Sequence, residues 1–302
     1  MTRFAAIKYI TPNIGDDFQT LAALQHLPRP VRLISRERLD RVWNLFGPQL
    51  RTICNGWFMY RPERWPPSSA IDPLIIAFHL TKRIVRSNRR KLDPHAILLA
   101  GRNREYFLEQ VKRNGVGTRD MATLRAFHEA GIDAYFSGCL TMTIQPPSAV
   151  VRTETIYAVD LSPEALAALR SRTRGPIVAL SHQVPRHMWR RKREARLAEL
   201  HRIYASARAV VTTRLHVSLP CLAMGTPVMM IHANPLDPRF EGLIEHLHFV
   251  PEVDFIAGRY SYSHDNPPPN PETFHPLAES MRRRCRTFVN ETSAVETSLT
   301  QP

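Results

Sequence analysis

Residues 210–228, Val-Val-Thr-Thr-Arg-Leu-His-Val-Ser-Leu-Pro-Cys-Leu-Ala-Met-Gly-Thr-Pro-Val, constrain the fold more than any other stretch. They read as a short buried strand, a turn, a helix, a glycine stop and a second strand. Arg214 and His216 fall where the first strand gives way to the helix. A helix N-terminus carries free backbone N–H groups and a partial positive charge, so it attracts anions. An arginine and a histidine there make a site for a phosphate or a carboxylate. The plainer alternative is an Arg214 paired with a surface acid and a His216 in the core.

The same alternation fills the rest of the chain. In the first half, apolar runs predict strands over 4–10, 31–34, 51–58, 74–78 and 134–137. Helical spacing predicts helices over 16–27, 104–113 and 120–130, the last stopped by Gly131. The second half repeats the order, with strands over 155–159, 177–180, 209–213 and 227–231 and helices over 163–170 and 190–207. Strands alternating with helices predict an α/β fold with doubly wound parallel sheets. The chain has 302 residues, enough for two domains with separate cores. The polar, proline-containing stretch 145–148 sets the boundary. The expected division is therefore 1–147, 148–258, and a remainder 259–302 of loop, a helix over 276–289 and a frayed tail.

The formal net charge is +14, which calls for an acidic partner: nucleic acid, an anionic membrane surface or a charged substrate. Three runs carry much of it, at 82–91, 186–193 and 282–286. Each alone reads equally well as a solvated helix face. Together they favour an anionic surface. No basic motif is interleaved with aromatics in the manner of an RNA-binding module, which disfavours nucleic acid. No run approaches the roughly 18 apolar residues of a membrane span. The first ten residues turn polar too soon for a signal peptide. The expected location is cytoplasmic, peripheral at the inner face of the membrane. The four cysteines show no paired spacing and read as reduced, buried thiols. Cys221, on the signature helix, is either a core thiol or a reactive one. Thirteen histidines are scattered without HxxxH or HExxH spacing, so no metal is expected. His246 and His248 read as a helix end. Neither a Walker A loop nor GxGxxG is present, so no dinucleotide cofactor is expected.

The signature Thr213-Arg214-Leu215-His216 resembles that of the polysaccharide pyruvyl transferase family. Further resemblance lies in 13–22 (Asn-Ile-Gly-Asp-Asp-Phe-Gln-Thr-Leu-Ala), 55–58 (Asn-Gly-Trp-Phe), 117–124 continuing to 131–141, and 239–243 (Arg-Phe-Glu-Gly-Leu). The chain departs from the family pattern with Thr118 where cysteine is frequent and Gly115 where proline is frequent. The resemblance implies two Rossmann-like domains facing a cleft, GT-B-like, with the N-terminal domain on the acceptor side and the C-terminal one on the donor side. It implies transfer of the enolpyruvyl group of phosphoenolpyruvate onto a sugar of a polysaccharide or lipid-linked glycan, as a ketal, with no cofactor. The alternative is a GT-B-like glycosyltransferase using a nucleotide sugar, which shares the architecture.

On this reading Arg214, Arg119 and Thr213 bind the donor, since arginine suits bidentate contact with carboxylate or phosphate. Arg119 could equally pair with Asp120. His216 either moves protons or neutralises the leaving phosphate. Asp16 is a base toward an acceptor hydroxyl or simply a helix cap. Asn13, Asp17, Asn55 and Trp57 are expected to line the acceptor side, although a buried Trp57 would serve a core as well.

Overall fold

Every sheet pairing between the chain's long strands is parallel, as the strand–helix alternation requires. The computed structural model describes residues 3–43, 47–58, 60–185 and 187–299. Contacts divide the chain into two units. The first comprises Met1–Tyr9, Gln19–Leu140 and Pro276–Pro302, the second Ile10–Phe18 and Thr141–His275. This differs from the division expected at 147/148. Residues 10–18 count with the second unit because their backbone bonds to it: Ile14 N–H donates to the His182 carbonyl, and Asn13 bridges Gln183.

The first unit holds a six-stranded sheet. Its strands are β1 (Phe4–Lys8), β2 (Val31–Ser35), β3 (Leu50–Phe58), β4 (Ile71–Leu80), β7 (Val116–Thr118) and β8 (Tyr135–Phe136), in the order β2-β1-β3-β4-β7-β8. Helix α1 (Asp17–Leu24) begins in residues that count with the second unit, and α2 (Pro94–Leu98), α3 (Gly101–Arg113) and α4 (Met121–Glu129) belong to the first. Asp120 caps α4 by accepting the Thr123 N–H at 2.9 Å. Gly131, at φ +69°, takes the left-handed conformation that ends it. The core is aromatic: Trp65 stacks on Phe107 and meets Phe78 edge-on, and Phe107 meets Phe127 edge-on. The basic run 82–91 is no helix face. It forms an antiparallel hairpin of β5 (Val85–Ser87) and β6 (Arg90–Leu92), turned by Asn88 and Arg89 at φ +48° and +65°. Positive φ at both turn residues is the twist that suits a two-residue hairpin loop. The last helix, α9 (His275–Leu299), continues past 289, where fraying was expected.

The second unit holds a five-stranded sheet of β9 (Ile156–Val159), β10 (Ile177–Leu180), β11 (Ala209–Thr212), β12 (Val228–His232) and β13 (His248–Pro251), in the order β10-β9-β11-β12-β13. Its core is mostly aliphatic, built on Ile156, Val211, Met229, Ile231 and Leu169, with Phe255 among them. The helices are α5 (Pro163–Ser171), α6 (Arg190–Ser206), α7 (Leu215–Ala223) and α8 (Glu252–Ala257). Ser162 caps α5 with Pro163 at its first position, where a missing N–H costs nothing. His246 ends a 3-10 helix, in keeping with the expected helix end, whereas His248 opens β13. Sequence periodicity also passed over β7, β13 and α8, each six residues or fewer.

After β9 the chain runs to β10 on one side and returns to β11 on the other. The order therefore reverses between β9 and β11. In open α/β sheets that reversal opens a crevice at the carboxyl ends of the strands.

Candidate active site

Three polar turns meet where β9, β10 and β11 end, and Asp160 ties them together. It follows β9 directly, at φ +53°. Its Oδ2 accepts from Arg214 Nε at 2.8 Å, its Oδ1 from the Ser181 hydroxyl at 2.7 Å, and its Oδ2 also from the His182 backbone N–H at 3.2 Å. The Thr213 hydroxyl donates to the Asp160 carbonyl at 2.9 Å. Burial pushes the Asp160 carboxyl up, but the Ser181 bond and the Arg214 guanidinium outweigh it and hold the group below its ordinary value. The plainer alternative pairs Arg214 with a surface acid; its partner here is Asp160, whose side chain is only 10% exposed. The pair uses Nε; the guanidinium has four more N–H donors on its terminal nitrogens.

Arg214 stands at the start of α7, its backbone N–H held by Thr212 Oγ1 at 3.0 Å. His216 lies in the first turn with φ −81° and ψ 18°, away from helical values. Pro220 explains that kink. It has no N–H to offer the carbonyl four residues back, which is that of His216, and its ring crowds the same carbonyl. The proline thus sets the histidine's angle.

Opposite α7, within the same unit, lies the turn 13–17. His216 Nδ1 is 3.6 Å from Asp16 Oδ1. Asp16 Oδ2 accepts from the Thr11 hydroxyl at 3.0 Å. The Asn13 side chain caps the 3-10 turn by accepting the Gly15 N–H at 2.9 Å. Asp17 is engaged by Arg193 on α6: Nε reaches both carboxylate oxygens at 2.9 Å, and Arg193 also donates to the Thr11 carbonyl at 2.8 Å. So Asp16 faces the histidine, whereas Asn13 and Asp17 brace the turn that carries it.

His182 completes the group. It is fully buried, and its Nε2 lies 2.6 Å from the Tyr204 hydroxyl. Burial, against the pull of Asp160, pushes its imidazole down to about 3, so it stays neutral. Its Nδ1 lies over Gly15, which is why that position is glycine. A Cβ there would meet His182 Nδ1 at 2.8 Å, Asn13 Oδ1 at 2.9 Å and the His216 Cβ at 3.4 Å. Gly15→Ala is therefore expected to destabilise the second unit by about 1–3 kcal/mol, the usual cost of overpacking. A urea denaturation series measures it; an unchanged midpoint would show that the turn has slack.

The other expected site residues lie in the first unit. Arg119 is buried, its Nε 3.4 Å from Asp120 Oδ2, and Asp120 bonds His79 Nδ1 at 2.6 Å. Burial pushes the Asp120 carboxyl up, but His79 and then Arg119 hold it low. Asn55 is fully buried; its Nδ2 donates to the Gln19 carbonyl at 2.9 Å, and its own carbonyl accepts from the Tyr9 hydroxyl. Arg36 lies over the Trp57 ring at 5.0 Å and donates to the Trp57 carbonyl at 2.9 Å. These placements show Asn55 and Trp57 bound into their own unit.

Asp160, Ser181, His182, Arg193 and Tyr204 escaped the sequence reading. A signal existed for three of them: they are the first polar residues after β9 and β10, where the ends of parallel strands place ligands. Arg193 was hidden in the basic run 186–193, of which Arg186 lies outside the described residues. All four cysteines are free and buried, and burial pushes the Cys221 thiol up, so it is a core thiol. Among the described residues, no three His, Cys, Asp or Glu form a metal-binding group. Among the same residues no helix is long and apolar enough to cross a membrane.

Comparison with known proteins defines the class: the chain is a transferase. Residues 100–232 match the family model of polysaccharide pyruvyl transferase, a stretch that runs from α3 to the end of β12 and includes Arg119, Asp160, His182, Arg214 and His216. No curated protein matches the chain. Among solved structures, a variant of the wall teichoic acid polymerase TagF shares 8% identity over 96% of this chain and 84% of that one, at a TM-score of 0.36.

Proposed function

We propose that this protein transfers the pyruvyl group of phosphoenolpyruvate to two hydroxyls of a glycan sugar, forming a cyclic ketal and releasing inorganic phosphate. The observation that carries the reading is the pairing of His216 with Asp16, 3.6 Å apart, beside Arg214 at the start of α7. The donor has a phosphate and a carboxylate, and on this reading Arg214 and His216 are the residues that receive them. Charge-assisted bonds contribute roughly 1.5–3 kcal/mol each, and micromolar binding needs about 8 kcal/mol. The Arg214 guanidinium must therefore act with the N-terminal amides of α7.

The proton balance suits the same residues. Two sugar hydroxyls lose their protons; one proton ends on the donor's methylene carbon, which becomes a methyl, and the other leaves with the phosphate. One new C–O bond forms at the donor's C2 as its double bond to the methylene carbon takes up the proton, and the second forms there as the bond from C2 to the phosphate oxygen breaks. His216 carries a proton between these atoms, and Asp16 orients the imidazole and stabilises its charged form. Arg214 balances the phosphate as it leaves. Asp160 and His182 hold Arg214 and the 13–17 turn in place. The acceptor on this reading is a polysaccharide or lipid-linked glycan.

Thermal unfolding with phosphoenolpyruvate, and separately with nucleotide sugars, tests the reading. A ligand at a hundred times its dissociation constant stabilises by about 2.7 kcal/mol, roughly 5–10 °C for units of this size. The expected result is a shift with phosphoenolpyruvate that Arg214→Ala abolishes, together with phosphate release when a glycan acceptor is added. A shift with nucleotide sugars alone would replace this reading with a glycosyltransferase.

A further inference from the structure

The three cationic runs of the sequence differ in how the fold disposes of their charge. On α6, Arg190 pairs with Glu194 at 3.2 Å and Arg193 is buried against Asp17. On α9, Arg282 and Arg286 both reach Glu279, and Arg284 lies over the Tyr135 ring at 3.8 Å. Each of these runs thus has ion pairs for part of its charge, while Arg191, Lys192 and Arg283 stay exposed. The hairpin of β5 and β6 is different. Lys82, Arg83, Arg86, Arg89, Arg90 and Lys91 are all exposed, and among the described residues none of them forms an ion pair.

The hairpin has two faces, because side chains alternate along a strand. Val85 and Ser87 are buried, and the Ser87 hydroxyl donates to Glu63 Oε1 at 2.5 Å, which anchors that face to the first unit. On the other face Arg86 stands directly across from Lys91. Like charges directly opposite destabilise a strand pair. Arg89 sits at the turn with φ +65°, a conformation that favours glycine, so a further cation is held at the tip against its own backbone preference. Beside this cluster Ile84 is 51% exposed. The hairpin thus keeps six unneutralised cations, one crossed like-charge pair and one bare apolar side chain on a single small element.

We infer that this hairpin docks the protein on an anionic lipid leaflet. A plane of lipid phosphates relieves the Arg86–Lys91 repulsion. Each Lys or Arg near such a surface adds to binding, and Ile84 enters the headgroup layer. Residues 81–93 contain no aromatic side chain, so the hairpin lacks the stacking platform that single-stranded nucleic acid requires. This docking is independent of the donor assigned above, since its readout is binding and not turnover.

The test is co-sedimentation of the full chain with vesicles of phosphatidylcholine containing roughly a third phosphatidylglycerol, against phosphatidylcholine alone. Binding is expected only to the anionic vesicles. It is expected to fade as salt rises from about 0.1 M to about 1 M, where screening shortens from about 10 Å to about 3 Å. Combining Arg86→Gln, Arg89→Gln and Lys91→Gln should weaken binding about 100-fold, from roughly fivefold per cation. The control combination Arg191→Gln, Lys192→Gln and Arg283→Gln removes the same formal charge from exposed positions elsewhere. It should weaken binding by less than about fivefold. Lys91→Glu is a second variant that favours the folded hairpin, by setting a carboxylate across from Arg86, and it should still weaken binding about tenfold or more. Equal loss in the two triple variants would show that net charge alone is responsible and overturn the assignment. So would unchanged binding in the hairpin triple or in Lys91→Glu. Tighter binding to a single-stranded RNA than to the vesicles, lost in the hairpin triple, would overturn it in favour of nucleic acid.

Discussion

His216→Ala is expected to slow pyruvyl transfer by about 10²–10⁴-fold, the usual contribution of a placed general acid or base. The protein should remain folded, because the side chain stands on a helix whose start is fixed by Thr212 and Arg214 and whose kink is fixed by Pro220. Steady-state kinetics at saturating donor separate the two roles that the sequence left open. A fall in kcat with donor KM nearly unchanged is the expected result, and it identifies a proton carrier. A rise in donor KM with kcat preserved would make His216 a phosphate ligand. Asp16→Asn should act through His216 and lower kcat less than His216→Ala does, since it removes an orienting charge and leaves the imidazole in place.

Arg193→Met is expected to have the largest effect on stability. It strands the Asp17 carboxylate, whose partner approaches both of its oxygens within 2.9 Å. It also takes the donors from the Thr11 and Asn13 carbonyls. Removing one partner of a buried ion pair costs about 3–5 kcal/mol, because the other charge is left without compensation. That corresponds to a fall of roughly 6–20 °C in the unfolding midpoint of the second unit. Adding Asp17→Leu to Arg193→Met should recover part of the loss. A double variant as unstable as the sum of the single losses would mean that the two residues act separately. Activity should fall with stability, since the turn braced by this pair carries Asp16.

Most of the strands and helices were legible because their periodicity is local. The run 177–180 became β10 without change of bounds, and 209–213 and 227–231 became β11 and β12 within a residue. What escaped was short or polar. The 82–91 run was legible as charge but not as a hairpin, since only Val85 and Ser87 of it are buried. Trp57 was legible as an aromatic beside an expected strand, but nothing in the order of residues says that Arg36, twenty-one positions earlier, lies on its ring.

The sequence by itself determined the parallel α/β character, the junction that presents Arg214 and His216, and the family resemblance. Each of these depends on neighbours within a few residues of one another. Only the tertiary structure decided which of the expected residues work together. It set Asp16 against His216, two hundred positions away, and gave Arg214 to Asp160. It spent Asp17 on Arg193, and among the described residues it left the β5–β6 hairpin, alone of the three basic runs, without an ion pair. The physical reason is that an ion pair or a hydrogen bond is fixed by distance in space, and side chains far apart in the chain come within bonding distance only when the sheet order is set.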